Sequence, residues 1–463
     1  MRVLTATVLA VVAATRAHVI EERAASSVPV NPASTNPAAL PLSSINQAHT
    51  SDPAEPYTTF PAGTVPTAIP GAPPLPNIKG INFYGAPYPM QDKVPPTDSP
   101  EVLQWIQDVQ NSGVQIPNIS PTAPGDCPGN PTLIGDTSRC WWTCGHCTRP
   151  DDIVTCPDKL TWGLTFDDGP GLTSMNLVNY LTQQNLKTTF FIIGSRAVSR
   201  PDMVQSEYIL GHQIGVHTWS HPRLTNLKNE EIIAEFGWTK KLLKDILGVT
   251  PNTFRPPYGD IDDRVRAIAK AMGLTPVMWT TSPDGTRTFD TTDFDIGDGS
   301  VSSFQVVANF DSLLNLANNL TTGFIMLEHD LFAQTVDIAT GYTIPDGLAH
   351  QPKLQIKSVI DCLHQPLQNA YIETSGNAPG SSSTSGTMTT GPGSSGTGTG
   401  TQPSDIPSPT SNSSPGTPAG TGSASATSTS TTGSADTVRR PASIAVLTGL
   451  TVFTLLVLRQ FTR

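Results

Sequence analysis

Charge is scarce in this 463-residue chain: 14% of residues are Asp, Glu, Lys or Arg, against roughly 25% in an ordinary soluble domain. Basic residues are the scarcer sign, 27 against 38 acidic. A net charge of -11 opposes the neutralisation of phosphates, which excludes nucleic acid as a partner class. Apolar residues are also few, at 37%, while Gly and Pro number 38 and 43. One packed domain over the whole length is thereby excluded, and a large share must be linker. The remainder suffices for a single domain of about 200 residues.

Both ends read as addresses. Residues 1–17 hold Arg2, an apolar stretch from Val8 to Ala14, and small residues at Thr15 and Ala17, the pattern of a signal peptide. The mature chain is therefore expected to be secreted. Residues 18–126 are Pro-rich and are expected to hold limited structure, with one amphipathic helix over Pro100 to Asn111 whose apolar side is Val102, Leu103, Ile106 and Val109. Near the other end, Ala442 to Leu458 is largely apolar but only about 25 Å long as a helix, against a hydrocarbon core of about 30 Å. Gly433, Ser434 and Ala435, a polar spacer through Arg440 and this tail, within 438–463, fit a glycosylphosphatidylinositol signal with Ser434 as anchor site. A single-span anchor ending in Arg459 and Arg463 is the alternative. Residues 374–437 are nearly all Ser, Thr, Gly, Pro and Ala, too polar to offset chain entropy, and read as an extended stalk. Sequons at Asn118, Asn319 and Asn412 are glycosylation candidates. The outer face of a walled cell suits this layout.

Six cysteines in an oxidising compartment predict three disulfides. Cys156 and Cys362 bracket the regular region and are expected to pair. Cys127, Cys140, Cys144 and Cys147, within a Cys-rich segment at 127–155, leave three connectivities open. Cys144-Gly-His-Cys147 also has the form of a thiol-exchange site. Its flanking residues, Trp141-Trp142 and Arg149-Pro150, favour a structural role over that one or a zinc knuckle.

Between 156 and 373 strands and helices alternate. Strands are expected at Thr161 to Phe166, Thr188 to Ile193, Gln213 to Val216, Thr253 to Arg255, Thr275 to Trp279 and Gly323 to Leu327, with another near Tyr371. Helices are expected at Ser174 to Gln184, Pro201 to Leu210, Lys228 to Leu247, Asp262 to Met272, Phe304 to Leu320 and Lys353 to Leu363. About seven strands with helices between them predict an α/β barrel or open parallel sheet, whose function gathers beyond the strands' carboxyl ends.

That rule selects Asp167-Asp168-Gly169-Pro170, His217-Thr-Trp-Ser-His221, Arg255-Pro-Pro-Tyr258 and Leu327-Glu-His329. Taken singly, each has a plainer explanation as a turn, a chance pair or a rigid loop. Together they place two carboxylates, two imidazoles, a fixed cation and a further His on one rim. Asp168, His217 and His221 suffice to hold a divalent metal with open positions. Asp167 is then the candidate general base, Arg255 the cation that keeps it ionised, and His329 the candidate general acid. The same ligands also suit a non-haem iron oxygenase. The second carboxylate and separate His favour hydrolysis.

In this order and at these separations, Thr165-Phe-Asp-Asp-Gly-Pro170 and the three motifs after it resemble the polysaccharide deacetylases of the NodB-homology type, carbohydrate esterase family 4. The Cys-Trp-Trp-Thr-Cys-Gly-His-Cys stretch and the anchored tail are most similar to fungal chitin deacetylases. The resemblance covers about Cys156 to Glu373. It implies a distorted (β/α) barrel with fewer than eight repeats and a zinc or cobalt ion. The implied reaction removes acetyl groups from chitin, an N-acetylglucosamine polymer, in the cell wall. It implies the same roles for Asp167, Asp168, His217, His221, Arg255 and His329, and an oxyanion contact from the Tyr258 N–H. Tyr258, Phe294 and Leu327 are implied to meet the substrate. Asp290-Thr-Thr-Asp293-Phe294 is similar to the family's remaining motif, with Phe for Trp, and assigns the tuning of His329 to Asp290. An amine anion departs poorly unprotonated, so an available acid favours amide over ester hydrolysis. An O-acetyl polysaccharide esterase and a catalytically silent wall-binding protein are the competing readings.

Overall fold

The computed structural model describes residues 34, 36–46, 56–79 and 87–376. The expected signal segment at 1–17, Asn412, Ser434, the rest of the expected stalk beyond 376 and the expected anchor signal at 438–463 lie outside the described residues.

Nine short strands are described, and every pairing between them is parallel. They are β1 (Thr161–Gly163), β2 (Thr165–Asp167), β3 (Thr189–Ile192), β4 (Gln213–Val216), β5 (Thr253–Phe254), β6 (Thr275–Pro276), β7 (Phe324–Ile325), β8 (Glu328–His329) and β9 (Gln355–Lys357). Six form one sheet in the order β6-β5-β4-β3-β2-β8, and three form a second in the order β7-β1-β9. The sheets share staves. Leu164 donates its N–H to Lys357 O at 2.9 Å but accepts from Thr189 N at 3.1 Å, so the chain changes neighbours between β1 and β2. β7 and β8 repeat this beside it, and counting each interrupted pair as one stave gives seven. Thr280 closes the ring, donating N–H to Ile325 O at 3.0 Å and accepting from Ile325 N through Oγ1 at 2.9 Å. The fold is an α/β barrel of parallel strands.

Phe166, Phe190, Ile192, Ile214, Val216 and Phe254 are fully buried. Burial on both faces explains why these strands read as continuous apolar runs. Helices of nine residues or more are α1 (Pro100–Asn111), α2 (Ser174–Gln183), α3 (Pro201–Ile209), α4 (Asn229–Leu247), α5 (Asp263–Ala271) and α6 (Ser303–Ala317). α4 starts where the Glu231 carboxylate accepts from Lys228 N at 2.7 Å and stops at Gly248, φ 81°, whose N–H bonds Lys244 O.

Three expectations are corrected. Lys353 to Leu363 is not a helix. Gln355–Lys357 pairs with Thr161–Gly163 and only Val359–Cys362 turns helically, because strand pairing outweighs local spacing. Leu103 is exposed on α1, and Trp105 packs instead, edge-on to Trp238 at 5.4 Å and against Gly237. The segment before the barrel has little regular structure but is packed: Ile69, Leu75 and Tyr88 join the main core, while Leu42 and Ile45 cover Val306, Val307 and Ile338.

The disulfides are Cys127–Cys144, Cys140–Cys147 and Cys156–Cys362. The two cysteines of Cys144-Gly-His-Cys147 thus bond elsewhere and not to each other. Asn118 and Asn319 are both exposed. Cys156–Cys362 closes a loop of 206 residues. The double substitution Cys156→Ser with Cys362→Ser is expected to lower the unfolding free energy by about 2–5 kcal/mol. Urea unfolding checks this, and an unshifted midpoint contradicts it.

Candidate metal centre and catalytic cleft

Four strand ends deliver the site. After β2, Asp168 takes a left-handed backbone, φ 78°, with its N–H on Phe191 O at 3.2 Å. Gly169 follows because a Cβ there would lie 2.4 Å from both carboxylate oxygens of Asp330. After β4, His217 extends the ladder through its N–H to Ile192 O at 2.9 Å, and the chain then folds back with positive φ at Thr218 and His221. Thr218 Oγ1 accepts from His221 N at 3.1 Å. The two imidazoles, 5.0 Å apart between centroids, are thus set by an irregular loop and not by a helix face.

Asp168 Oδ1 lies 3.2 Å from His217 Nε2 and 3.2 Å from His221 Nε2. One ligand atom from each residue falls within 4.8 Å of the others. His217 Nδ1 lies 2.8 Å from Arg255 O. A carbonyl only accepts, so the proton sits on Nδ1 and Nε2 presents a lone pair to a carboxylate oxygen that has no hydrogen-bond partner. Acceptors facing one another this way call for a cation, and two imidazoles with one carboxylate suit a divalent ion.

Asp167 is buried beside this triad, its Oδ2 3.8 Å from His217 Nε2. Arg255, with no exposure, donates through Nη1 to Asp167 Oδ1 at 2.8 Å and Thr165 Oγ1 at 2.7 Å, and through Nε to Val277 O at 3.2 Å. Its guanidinium lies 4.5 Å over the Phe191 ring. Across the cleft His329 Nδ1 donates to Asp293 Oδ1 at 2.8 Å, and His329 N to Asp293 Oδ2 at 2.8 Å. Burial lowers the His329 imidazole, yet Asp293, with Asp168 and Asp167 behind it, raises it to about 10.

The carboxylate on His329 is therefore Asp293 and not Asp290. Asp290 pairs its backbone with Leu327 and accepts from Thr292 N at 2.8 Å. Burial pushes its carboxyl up to about 6, against that N–H. The turn at Asp293–Ile296 brings the later aspartate to β8, a rotation that the spacing of the motif does not reveal.

Tyr258, φ 58°, is 49% exposed, and its N–H has no partner among the described residues. Its ring meets His221 edge-on at 4.6 Å. Phe294 lies 5.1 Å from the His329 ring and Leu327 is buried. Both line the same cavity as Tyr258 and the triad, about 500 Å³ in volume. A cavity of about 800 Å³ beside Arg149 and Arg266 is larger, but its arginines are paired with Asp152 and Asp263.

Two positioning residues escaped sequence reasoning. Glu235 of α4 accepts from Trp219 N at 2.7 Å, Ser220 N at 2.9 Å and Ser220 Oγ at 2.6 Å, clamping the loop between the two histidines. Its burial pushes the carboxyl up to about 7 against these donors. A carboxylate three residues after fully buried Ile232, on an otherwise apolar helix face, was the available signal. Asp260 accepts from Trp141 Nε1 at 2.7 Å, Thr143 Oγ1 at 2.9 Å and Thr225 N at 2.8 Å, tying the Cys-rich segment to the rim. Glu235→Ala strands three donors and is expected to weaken zinc binding about 10–100-fold. Calorimetric titration with zinc checks this, and wild-type affinity contradicts it.

A family model described as polysaccharide deacetylase matches residues 155–277. Chitin deacetylase 1 of Cryptococcus neoformans var. grubii is 52% identical over 334 residues, covering 72% of this chain and 69% of that one. The chitin deacetylase of Amylomyces rouxii is 33% identical over 332 residues, covering 67% and 75%. The solved chitin deacetylase of Colletotrichum lindemuthianum is 22% identical, covers 48% of this chain and 95% of that one, and has a TM-score of 0.39. On identity and coverage to the first two relatives, this chain belongs to the polysaccharide deacetylase family.

Proposed function

We propose that the protein is a metal-dependent hydrolase that removes N-acetyl groups from chitin, giving chitosan and acetate. One observation carries this reading: a carboxylate fixed by a buried guanidinium and an imidazole fixed by a second carboxylate both line the cavity that holds the Asp168, His217 and His221 donor set. A zinc or cobalt ion bound there supplies a Lewis acid for the acetyl carbonyl and lowers the pKa of water.

The chain's own residues do the remaining work. Asp167 accepts the proton of the attacking water, and Arg255, bonded to its Oδ1, holds it turned toward the triad. The Tyr258 N–H, aimed by its left-handed backbone, donates to the oxygen that gains charge as the carbonyl becomes tetrahedral. His329 gives a proton to the sugar nitrogen, so the product departs as an amine. Asp293 holds the ring in place and keeps it charged. The imidazole held charged by Asp293 favours amide hydrolysis, in which protonation of the leaving group is the harder requirement.

The layout read from the sequence supports secretion, cell-wall residence and a glycosylphosphatidylinositol anchor at Ser434. Asn118 and Asn319, both exposed, and Asn412 are proposed N-glycan carriers.

Acetate release from N-acetylglucosamine oligomers is expected to stop on chelation and return with zinc or cobalt. No chelator-sensitive release from folded protein contradicts the reading and favours a silent wall-binding protein. His217→Ala is expected to abolish metal uptake, whereas Asp167→Asn keeps the metal and loses about 10²–10⁴-fold in turnover. Equal metal loss in both undoes the division of roles. His329 acts while protonated, so activity falls as pH rises through its pKa. Asp293→Asn removes the anion that raises it, and the alkaline limb of the kcat/KM profile is expected to move to lower pH. An unmoved limb contradicts the pairing.

A further inference from the structure

The wall of the cleft next to the metal triad is built in part by the Cys-rich segment, outside the stretch that matches the family model. Asp126, Cys127 and Thr143 line the same cavity as His221 and Tyr258. Asp126 stands on a stiff loop. Gly125 has φ 99°, and a Cβ on Gly129 would meet Pro124 O at 2.4 Å. The Asn130 amide bonds Ala123 N, Ala123 O and Asp126 O, each at 2.8 Å. The next residue, Cys127, is bonded to Cys144. The loop's position relative to the barrel is thus set before any ligand arrives.

Asp126 Oδ1 lies 2.7 Å from Arg223 Nε, two residues beyond His221. The Arg223 guanidinium in turn lies 4.1 Å over the Tyr258 ring, whose edge meets His221 at 4.6 Å. Two short contacts therefore connect a proposed metal ligand to a fixed planar cation. The Asp126 carboxylate pairs with the Nε side and the face lies on Tyr258, and Nη1 and Nη2 have no hydrogen-bond partner among the described residues. The side chain keeps 29% exposure at the cavity wall. A guanidinium with one edge held and the other open is a rigid double donor. Chitin offers matching acceptors on each sugar, hydroxyls and an acetamide carbonyl, and carries no charge.

We infer that Arg223 is a specificity-determining residue, whose Nη groups bind the sugar adjoining the one that loses its acetyl group, and that Asp126 is its positioning residue. The inference rests on the deacetylase reading and adds a subsite to it. The cleft then prefers a polymer over a single sugar through a contact that the Cys-rich segment holds in place. Binding energy from this neighbouring sugar would be expressed mainly in KM.

The test measures KM and kcat for oligomers from the dimer to the pentamer with the wild type, Arg223→Ala, Arg223→Lys and Asp126→Asn, alongside calorimetric binding of the tetramer. The wild type is expected to show KM falling with chain length. Arg223→Ala is expected to raise KM for the tetramer and pentamer about tenfold, more than for the dimer, with a matching loss in tetramer binding. Asp126→Asn preserves size and is expected to give part of that loss. Arg223→Lys is expected to fall short of rescue because it lacks the planar double donor. Variants that keep the wild-type fall of KM with length, in a wild type that releases acetate, overturn the subsite alone. A wild type that releases no acetate overturns the deacetylase reading and the subsite with it.

Discussion

Arg255 serves the site twice. Its guanidinium, entirely buried, holds Asp167, while its own carbonyl oxygen accepts from His217 Nδ1 and so fixes which nitrogen of that imidazole faces Asp168. One residue at the end of one strand thereby sets the tautomer of the proposed metal ligand His217 and the orientation of the proposed base Asp167. Burying such a pair is eased by further bonds from Nη1 to Thr165 and from Nε to Val277, while Nη2 has no hydrogen-bond partner among the described residues. Removing either charge would leave the other uncompensated in the barrel interior.

The parallel barrel makes this arrangement possible. Asp167, His217, Arg255 and His329 come from four different staves, yet parallel pairing brings their carboxyl ends to one rim. Positive φ at Asp168, Thr218, His221 and Tyr258 then turns the chain sharply at the points where it leaves the strands. Around this rim, the second layer is drawn from distant sequence: Glu235 from α4, Asp293 from the turn before α6, and Asp260 joining Thr225 to Trp141 and Thr143.

What the sequence revealed follows from what is local. β4 was legible to the residue because Gln213 to Val216 is a short segment with Ile214 and Val216 bounded by turns, and the candidate rim residues were legible because strand ends are where such folds place chemistry. The change of partners at Leu164 was not legible, since both halves of the stave are apolar and only the ladder distinguishes them. Gln355–Lys357 was hidden because its strand state comes from pairing with β1 and not from its own composition. The choice between Asp290 and Asp293 turned on one short helical turn. Disulfide pairing among four clustered cysteines carries no sequence signature, and the packing of Ile69, Leu75 and Tyr88 on the core lay beneath a Pro-rich composition that reads as linker.

The central claim is that two imidazoles and one carboxylate grip a single divalent cation beside Asp167. X-ray absorption on protein loaded with one equivalent of zinc tests it most directly. The predicted spectrum has two imidazole nitrogens and light-atom oxygens at about 2.0–2.2 Å, with no sulfur. A shell containing sulfur at about 2.3 Å, or one without imidazole scattering, would contradict it.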